Sequence, residues 1–183
     1  MVMEMVRGGS LMDRIDDHGV LHPQVAIDAA IAMSHALGVA HKHKIVHRDV
    51  KPSNVMHVTS DLESDIRLMD FGVARGPLEN HELTLKGSQI GTLWYMSPEQ
   101  LRGKDPAPSC DLFALAVSLY ELSTGQLPLS EREQSAVFRR HLDNEPAPAW
   151  PQHLYDAYPE FCDVIEAALH VDYESRLVDL NIF

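Results

Sequence analysis

Cysteine occurs only twice in the 183 residues, as Cys110 and Cys162. Two thiols cannot build a disulfide scaffold, and neither sits in a CxxC or CxxH pattern, so a zinc module is excluded as well. Both read as buried, reduced small hydrophobes in a cytosol-like compartment. Long apolar runs are also lacking: no stretch reaches the roughly 18–20 residues of a spanning helix, and the N-terminus has no signal-peptide pattern. Basic charge is in short supply. Fifteen Lys and Arg against 27 Asp and Glu leave a net charge of −12, which argues against a nucleic-acid-coating role that works by neutralising phosphates. There is no internal repeat and no low-complexity tract. What remains is 45% hydrophobic and 23% charged, enough apolar content to exclude a mainly disordered chain. The length admits one domain or a large lobe with a sizeable core. Residues 1–6, Met-Val-Met-Glu-Met-Val, look like the end of a buried strand rather than a domain edge.

Local patterns predict a mainly helical chain. Ser10 is suited to cap a short helix, with Asp13 at the third position complementing the helix dipole and Gly19 ending it. Pro23 suits the start of a longer helix, whose Ala26, Ala29, Ala30, Met33, Leu37 and Ala40 form one apolar stripe. Short β-like runs follow at 45–46, 54–58 and 66–69, with an acidic, solvated hairpin loop at 59–65. The 30 residues from Asp70 to Glu99 lack sustained periodicity, and a loop of that length is usually functional. Residues 112–122 are apolar on nearly every side, the mark of a helix buried all round, with Gly125 and Pro128 ending it. A polar amphipathic helix is expected at 131–142 and a proline-rich connector at 144–151. A last helix follows at 161–170, with Phe161, Val164, Ile165, Ala168 and Leu169 inward. The 11 histidines do not make a metal site: lysines interleave His41, His43 and His47, and His41 and His43 read as solvated helix-end residues. Trp94 and Trp150 read as packing residues.

The chemistry is concentrated in His47-Arg48-Asp49-Val50-Lys51-Pro52-Ser53-Asn54. Here Asp49 can accept a hydroxyl proton, Lys51 can neutralise a phosphoryl oxygen, and Asn54 can hold a hard cation through its carbonyl oxygen. A polar turn would explain any three of these residues, but it does not explain the whole octapeptide. Asp70-Phe71-Gly72 is weak alone. It gains weight from its place after two short strands that could bring Asp70 near Asn54, giving two oxygen ligands of the kind Mg²⁺ accepts beside phosphates.

These segments resemble the catalytic lobe of a eukaryotic-like (Hanks-type) serine/threonine protein kinase, whose signature is H-R-D-x-K-x-x-N, then D-F-G, then A-P-E. The third element stands here as Ser97-Pro98-Glu99, with Ser in place of Ala. The resemblance covers essentially the whole chain. It implies a mainly α, protein-kinase-like C-terminal lobe, a helical bundle with a small β-hairpin region, with the small N-terminal lobe missing. On this reading residues 1–9 are the end of the small lobe and the hinge, with Met3 at the gatekeeper position. Residues 10–183 are the large lobe, its last helix truncated. By the same resemblance Asp49 orients the acceptor hydroxyl, Lys51 stabilises the transferred phosphoryl group, and Asn54 and Asp70 hold Mg²⁺. The backbones of Glu4 and Val6 and the side chain of Met56 adjoin the adenine of ATP. His47 and Phe71 match spine positions. Asp111 matches an anchoring Asp, and Arg176 matches the Arg that pairs with Glu99.

Lys51 two residues after Asp49, and Gly91-Thr92-Leu93-Trp94-Tyr95-Met96 with Thr92 in a substrate-docking role, favour serine and threonine acceptors in protein substrates. Leu93 departs from the Pro common there in bacterial members, whereas the Met96-to-Gln100 run is frequent in them. Arg48 before Asp49 implies control by activation-loop phosphorylation, with Thr84 or Ser88 favoured over Thr92 as the acceptor. No glycine-rich loop and no strand Lys with a helix Glu partner precede the catalytic loop, and Lys42, Lys44, Lys86 and Lys104 stand in the wrong context to substitute. The resemblance therefore implies a large lobe cut at the hinge, weak or inactive by itself, that needs a small lobe in cis. The alternative is a non-catalytic lobe acting as a protein-interaction module. The implied location is cytoplasmic, free or as the cytoplasmic part of a membrane-anchored kinase, with no membrane segment in this chain and no nucleic acid as partner.

Overall fold

The computed structural model describes residues 6–59, 65–71, 90–128, 149–176 and 179, and only the backbone of 90–92. Among them are six α-helices and two short strands. The expectations placed on Met3, Glu4, Gly72, Thr84, Ser88, the side chain of Thr92, the hairpin loop at 60–64 and the helix at 131–142 lie outside the described residues.

Helix α1 (Leu11–His18) is closed at both ends as the sequence predicts. The Ser10 hydroxyl accepts from the Asp13 N–H at 3.1 Å, while the Asp13 carboxylate accepts from the Ser10 N–H at 2.8 Å, a reciprocal capping box. Gly19 ends the helix with φ 76°. Helix α2 (Pro23–Lys42) buries all six predicted stripe positions, and its cap is His22, whose Nδ1 accepts from the Gln24 N–H. Residues 45–46 differ from the β-like expectation. His43 and Ile45 donate their N–H groups to the Ala40 carbonyl and Lys44 donates to that of His41, with Lys44 in the left-handed region. The open carbonyls at the end of α2 thus recruit these residues into its exit turn.

Strands β1 (Val55–His57) and β2 (Ile66–Leu68) form an antiparallel pair with Met56 opposite Arg67. On the other side of β1 runs the segment 7–10, with Gly8 N–H donating to the His57 carbonyl at 3.0 Å and His57 N–H to the Gly9 carbonyl at 3.1 Å. Gly8 is required by that approach, since a Cβ there would overlap the backbone carbonyls of His57 and Thr59. Gly8→Ala is expected to lower stability by about 1–3 kcal/mol, the usual range for forced overpacking. Urea unfolding of the two proteins checks it, and equal midpoints would contradict the close approach.

The predicted long loop contains two pieces of regular structure, a 3₁₀ turn (Ile90–Tyr95) and the short helix α3 (Pro98–Leu101). Ser97 caps α3 in a second reciprocal box with Gln100, so Ser in place of Ala adds a cap here. Helix α4 (Pro108–Thr124) is the axis of the core, with every residue from 109 to 120 buried. Three of its hydroxyls are paired within the helix: Ser118, Ser123 and Thr124 donate to the carbonyls of Ala114, Leu119 and Tyr120 at 2.7–2.8 Å. Gly125 ends α4 in the left-handed region.

Helix α5 (Gln152–Ala157) was not anticipated. Helix α6 (Pro159–Ala168) begins and ends two residues before the predicted segment. Helices α2 and α6 both pack on α4, and Met33, Leu37, Leu112, Leu115, Leu119, Leu122 and Ile165 are wholly buried between them. Trp150 packs against Tyr120, ring centres 4.8 Å apart, and both cysteines are buried and free. Among the described residues no helix is long and apolar enough to cross a membrane.

Candidate active site

The loop from α2 to β1 is tied to the first turn of α4 by one carboxylate. Asp111, fully buried, accepts from the His47 N–H and the Arg48 N–H at 2.8 Å each, one on each oxygen. The two bonds hold Arg48 at φ 68°, a conformation that costs a non-glycine residue energy unless its surroundings enforce it. A third partner is His41, whose Nε2 lies 2.7 Å from Asp111 Oδ2. This corrects the expectation of a solvated His41. The sequence did hold a signal: His41 stands four residues after buried Leu37 and next to buried Ala40, at the edge of the apolar stripe.

His47 joins this loop to the segment after β2. Its ring is fully buried, and burial pushes its pKa down, against the opposing pull of the Met69 carbonyl and nearby carboxylates. The ring is therefore neutral, with one N–H. Nε2 donates that proton to the Met69 carbonyl at 3.0 Å, and Nδ1 accepts from the Asp49 N–H at 3.3 Å. Phe71 packs against the same ring at a tilt of 50°, centres 4.6 Å apart, while remaining 36% exposed.

Asp49, Lys51 and Asn54 converge. Lys51 Nζ is 3.2 Å from Asp49 Oδ2, and Asn54 Nδ2 donates to the Asp49 carbonyl at 2.7 Å and to Oδ2 at 3.2 Å. Asn54 thus spends its donor on Asp49 and leaves its carbonyl oxygen as the end suited to a cation. Met69 N–H donates to the backbone carbonyl of Asn54 at 2.8 Å, which brings the neighbouring Asp70, exposed and at φ 56°, to the same end of the loop. One amide oxygen and one open carboxylate are hard donors, and they fit Mg²⁺ shared with phosphates rather than an all-protein cage. No cluster of three or more His, Cys, Asp or Glu suited to a metal occurs among the described residues. Met56 is half-buried on the face of β1 opposite buried Val55 and His57, and Val6 is half-buried.

Glu99 and Arg176, 77 positions apart, meet in a buried two-pronged pair with contacts of 2.6 and 3.0 Å. Arg176 also donates to the carbonyls of Ser109, His170 and Val171 and lies over the Phe113 ring at 4.9 Å. Burial alone would raise the pKa of Glu99, but the bonds and charge of Arg176 outweigh it and hold the carboxyl below its usual range.

One further tie was not legible in the sequence: the Tyr95 hydroxyl donates to Glu121 Oε2 on α4 at 2.6 Å. Tyr95 also borders a small cavity, of about the size of a water molecule, between Asp49, Gln100, Cys110 and Asp111.

A family model described as the protein kinase domain matches residues 1–182. The serine/threonine-protein kinase PknB of Mycolicibacterium smegmatis is 35% identical over 176 residues, 96% of this chain and 28% of the relative. The serine/threonine-protein kinase PrkC of Bacillus subtilis is 36% identical over 144 residues, 79% of this chain and 22% of the relative. The chain thus spans about a quarter of the length of such relatives. Among solved structures, the crystal structure of Rad53 1-466 in complex with AMP-PNP superposes with a TM-score of 0.77 at 28% identity, covering 96% of this chain and 43% of that one.

Proposed function

The chain belongs to the serine/threonine protein kinase family, and from that premise we propose that it is a catalytic large lobe that transfers the γ-phosphoryl group of ATP to serine and threonine hydroxyls of proteins. The observation that carries this reading is the meeting of Asp49, Lys51 and Asn54 on a loop pinned by Asp111, with Asp70 brought alongside through Met69. Asp49 takes the proton of the acceptor hydroxyl, and Asn54 fixes its orientation by bonding both its backbone and its carboxylate. Lys51 supplies positive charge beside the transferred group. Asn54 and Asp70 would hold Mg²⁺, which neutralises phosphate charge when bound. Val6, Glu4 and Met56 are assigned to the adenine side, residues 1–9 to the end of the small lobe and the hinge, and 10–183 to the large lobe. The Glu99–Arg176 pair and Asp111 are assigned structural roles.

Serine and threonine preference is assigned to Lys51 and to Thr92 in the docking segment. Arg48 is assigned to receive a phosphate on Thr84 or Ser88. The protein works with a small lobe in cis, in the cytoplasm, either free or as the cytoplasmic part of a membrane-anchored kinase.

The test compares the chain alone with the chain joined behind the small lobe of a bacterial relative, each given Mg²⁺, ATP and peptides bearing Ser, Thr or Tyr. The joined protein is expected to label Ser and Thr peptides but not Tyr peptides, while the chain alone labels little or nothing. Phosphatase treatment should reduce the rate of the joined protein, and it should have no effect once Arg48→Ala is introduced. Absence of transfer from the joined protein would favour the non-catalytic interaction module, and labelled tyrosine would overturn the acceptor assignment.

A further inference from the structure

Acidic side chains outnumber basic ones by 27 to 15, but the surplus is unevenly spread. From Ala29 to Arg48 there is no Asp or Glu, and from Pro151 to Ser175 there is no Lys or Arg. The first of these segments forms most of α2 and its exit turn. Ile31, His35, Val39 and Lys42, at steps of four, four and three, run along one side of the helix for about 16 Å. All four are exposed, Ile31 by 44% and Val39 by 60%, and the exit turn adds exposed His43, Lys44 and Ile45. Other faces of α2 pack on α4 and β2. Lys51, Arg67 and Arg176 each pair with a carboxylate, whereas neither Lys42 nor Lys44 does so among the described residues.

The second segment is α5, α6 and the turn after them. Asp156, Glu160, Asp163 and Glu166 are exposed there, and so are Asp172 and Glu174. Among these carboxylates lie exposed Tyr155, Ala157 and Ala167, and the Tyr155 ring is fixed by its hydroxyl bond to Asp163 at 2.9 Å. At ten residues, α6 is about 15 Å long, close to the length of the α2 line. From this complementarity we propose that the outer face of α2 docks on the α5–α6 face of a second copy of the chain. Lysines flanking aliphatic side chains on one face meet carboxylates flanking an aromatic anchor on the other, an arrangement that fixes register and rejects like-charged surfaces. Because the two faces differ, the contact is head to tail, and assembly either continues as a chain or closes into a ring. The net charge of −12 does not forbid it: at 0.1 M salt, exposed charges more than about 10 Å apart are largely screened, so the facing surfaces decide. A lipid surface fits less well, since two lysines fall short of the roughly four to eight cations that read as binding anionic membranes. The contact lies outside the Asp49 cluster and does not rest on the kinase reading.

Sedimentation equilibrium of the full chain tests it. At about 0.1 M salt the weight-average mass is expected to rise at least about 1.5-fold between about 10 µM and about 500 µM, and to fall back toward the monomer at about 0.5 M salt. Lys42→Glu with Lys44→Glu, or Glu160→Lys with Glu166→Lys, should each leave a monomer throughout, because like charges then face each other. All four substitutions in one chain should restore association, since the faces are again complementary. Val39→Ser, which removes apolar contact without altering charge, should also weaken it, and circular dichroism confirms that each variant is folded. A wild-type chain that stays monomeric, association that either reversed pair leaves unchanged, or no recovery in the fourfold variant would overturn the proposal. So would a monomer that binds phosphatidylserine vesicles through Lys42 and Lys44, which would assign the face to a lipid surface instead.

Discussion

Replacing Arg176 with alanine is expected to cost about 3–5 kcal/mol of folding stability, the range found when one partner of a buried ion pair is removed. The geometry points to that loss rather than to the small effect of a surface pair. Both side chains are almost wholly buried, the contact is two-pronged, and the guanidinium also satisfies three backbone carbonyls. Alanine would leave the Glu99 carboxylate buried without its guanidinium partner, the Ser109 hydroxyl and the Cys110 thiol at 3.3 and 3.5 Å being weaker, neutral donors. The loss should depend on pH with a definite sign. In the native protein the pKa of Glu99 is held down by Arg176. Its contribution is therefore present above the usual carboxylate range and is lost as pH falls through its lowered value. In the variant the unpaired, buried carboxyl has its pKa raised and is relieved by acid. The gap between the two proteins should thus be widest near neutrality and narrow as pH falls toward 4. Urea unfolding at pH 7 and at pH 4 measures both. A loss below about 1 kcal/mol at pH 7, as for an exposed pair, or a gap independent of pH, would contradict this account.

Asp49→Asn is expected to reduce phosphoryl transfer by the joined kinase by about 10²- to 10⁴-fold, the scale of a positioned general base. The substitution keeps the size of the side chain and the 2.7 Å bond from Asn54 to the backbone carbonyl of residue 49, so the loop should stay in place. What is lost is the proton acceptor and the charge facing Lys51 at 3.2 Å. Single-turnover transfer to a serine peptide, with nucleotide binding and thermal unfolding as controls, separates the outcomes. Lost transfer with retained binding and folding is the expected pattern. Transfer within about threefold of wild type, well short of what removing a general base costs, would remove Asp49 from its assigned role.

Much of the fold was legible because the relevant forces are local. The α2 stripe and the all-round apolar character of α4 are periodicities, and Ser10, Gly19 and Gly125 act on their own helix ends. The cluster on residues 49–54 was legible because its members are close in sequence. The contacts that escaped are long-range. His41 meets Asp111 across 70 positions and Tyr95 meets Glu121 across 26, and in each case one partner looks like an ordinary polar or packing residue until the helices are docked. Residues 45–46 misled for the opposite reason: an Ile-Val pair favours extended backbone, but the unpaired carbonyls at the end of α2 claimed its neighbourhood first. Ser97 was read as a mild departure from a motif, and it gained meaning only as the cap of a four-residue helix.

The Asp111 carboxylate has a consequence for how the molecule comes apart. The loop that bears Asp49 hangs from the central helix by bonds to two consecutive amides, so it cannot loosen by fraying from an end as surface loops do. Its opening must break both bonds at once and leave the buried Asp111 carboxylate without two of its donors, so this loop is held more firmly than a surface loop of similar length that carries no such tie.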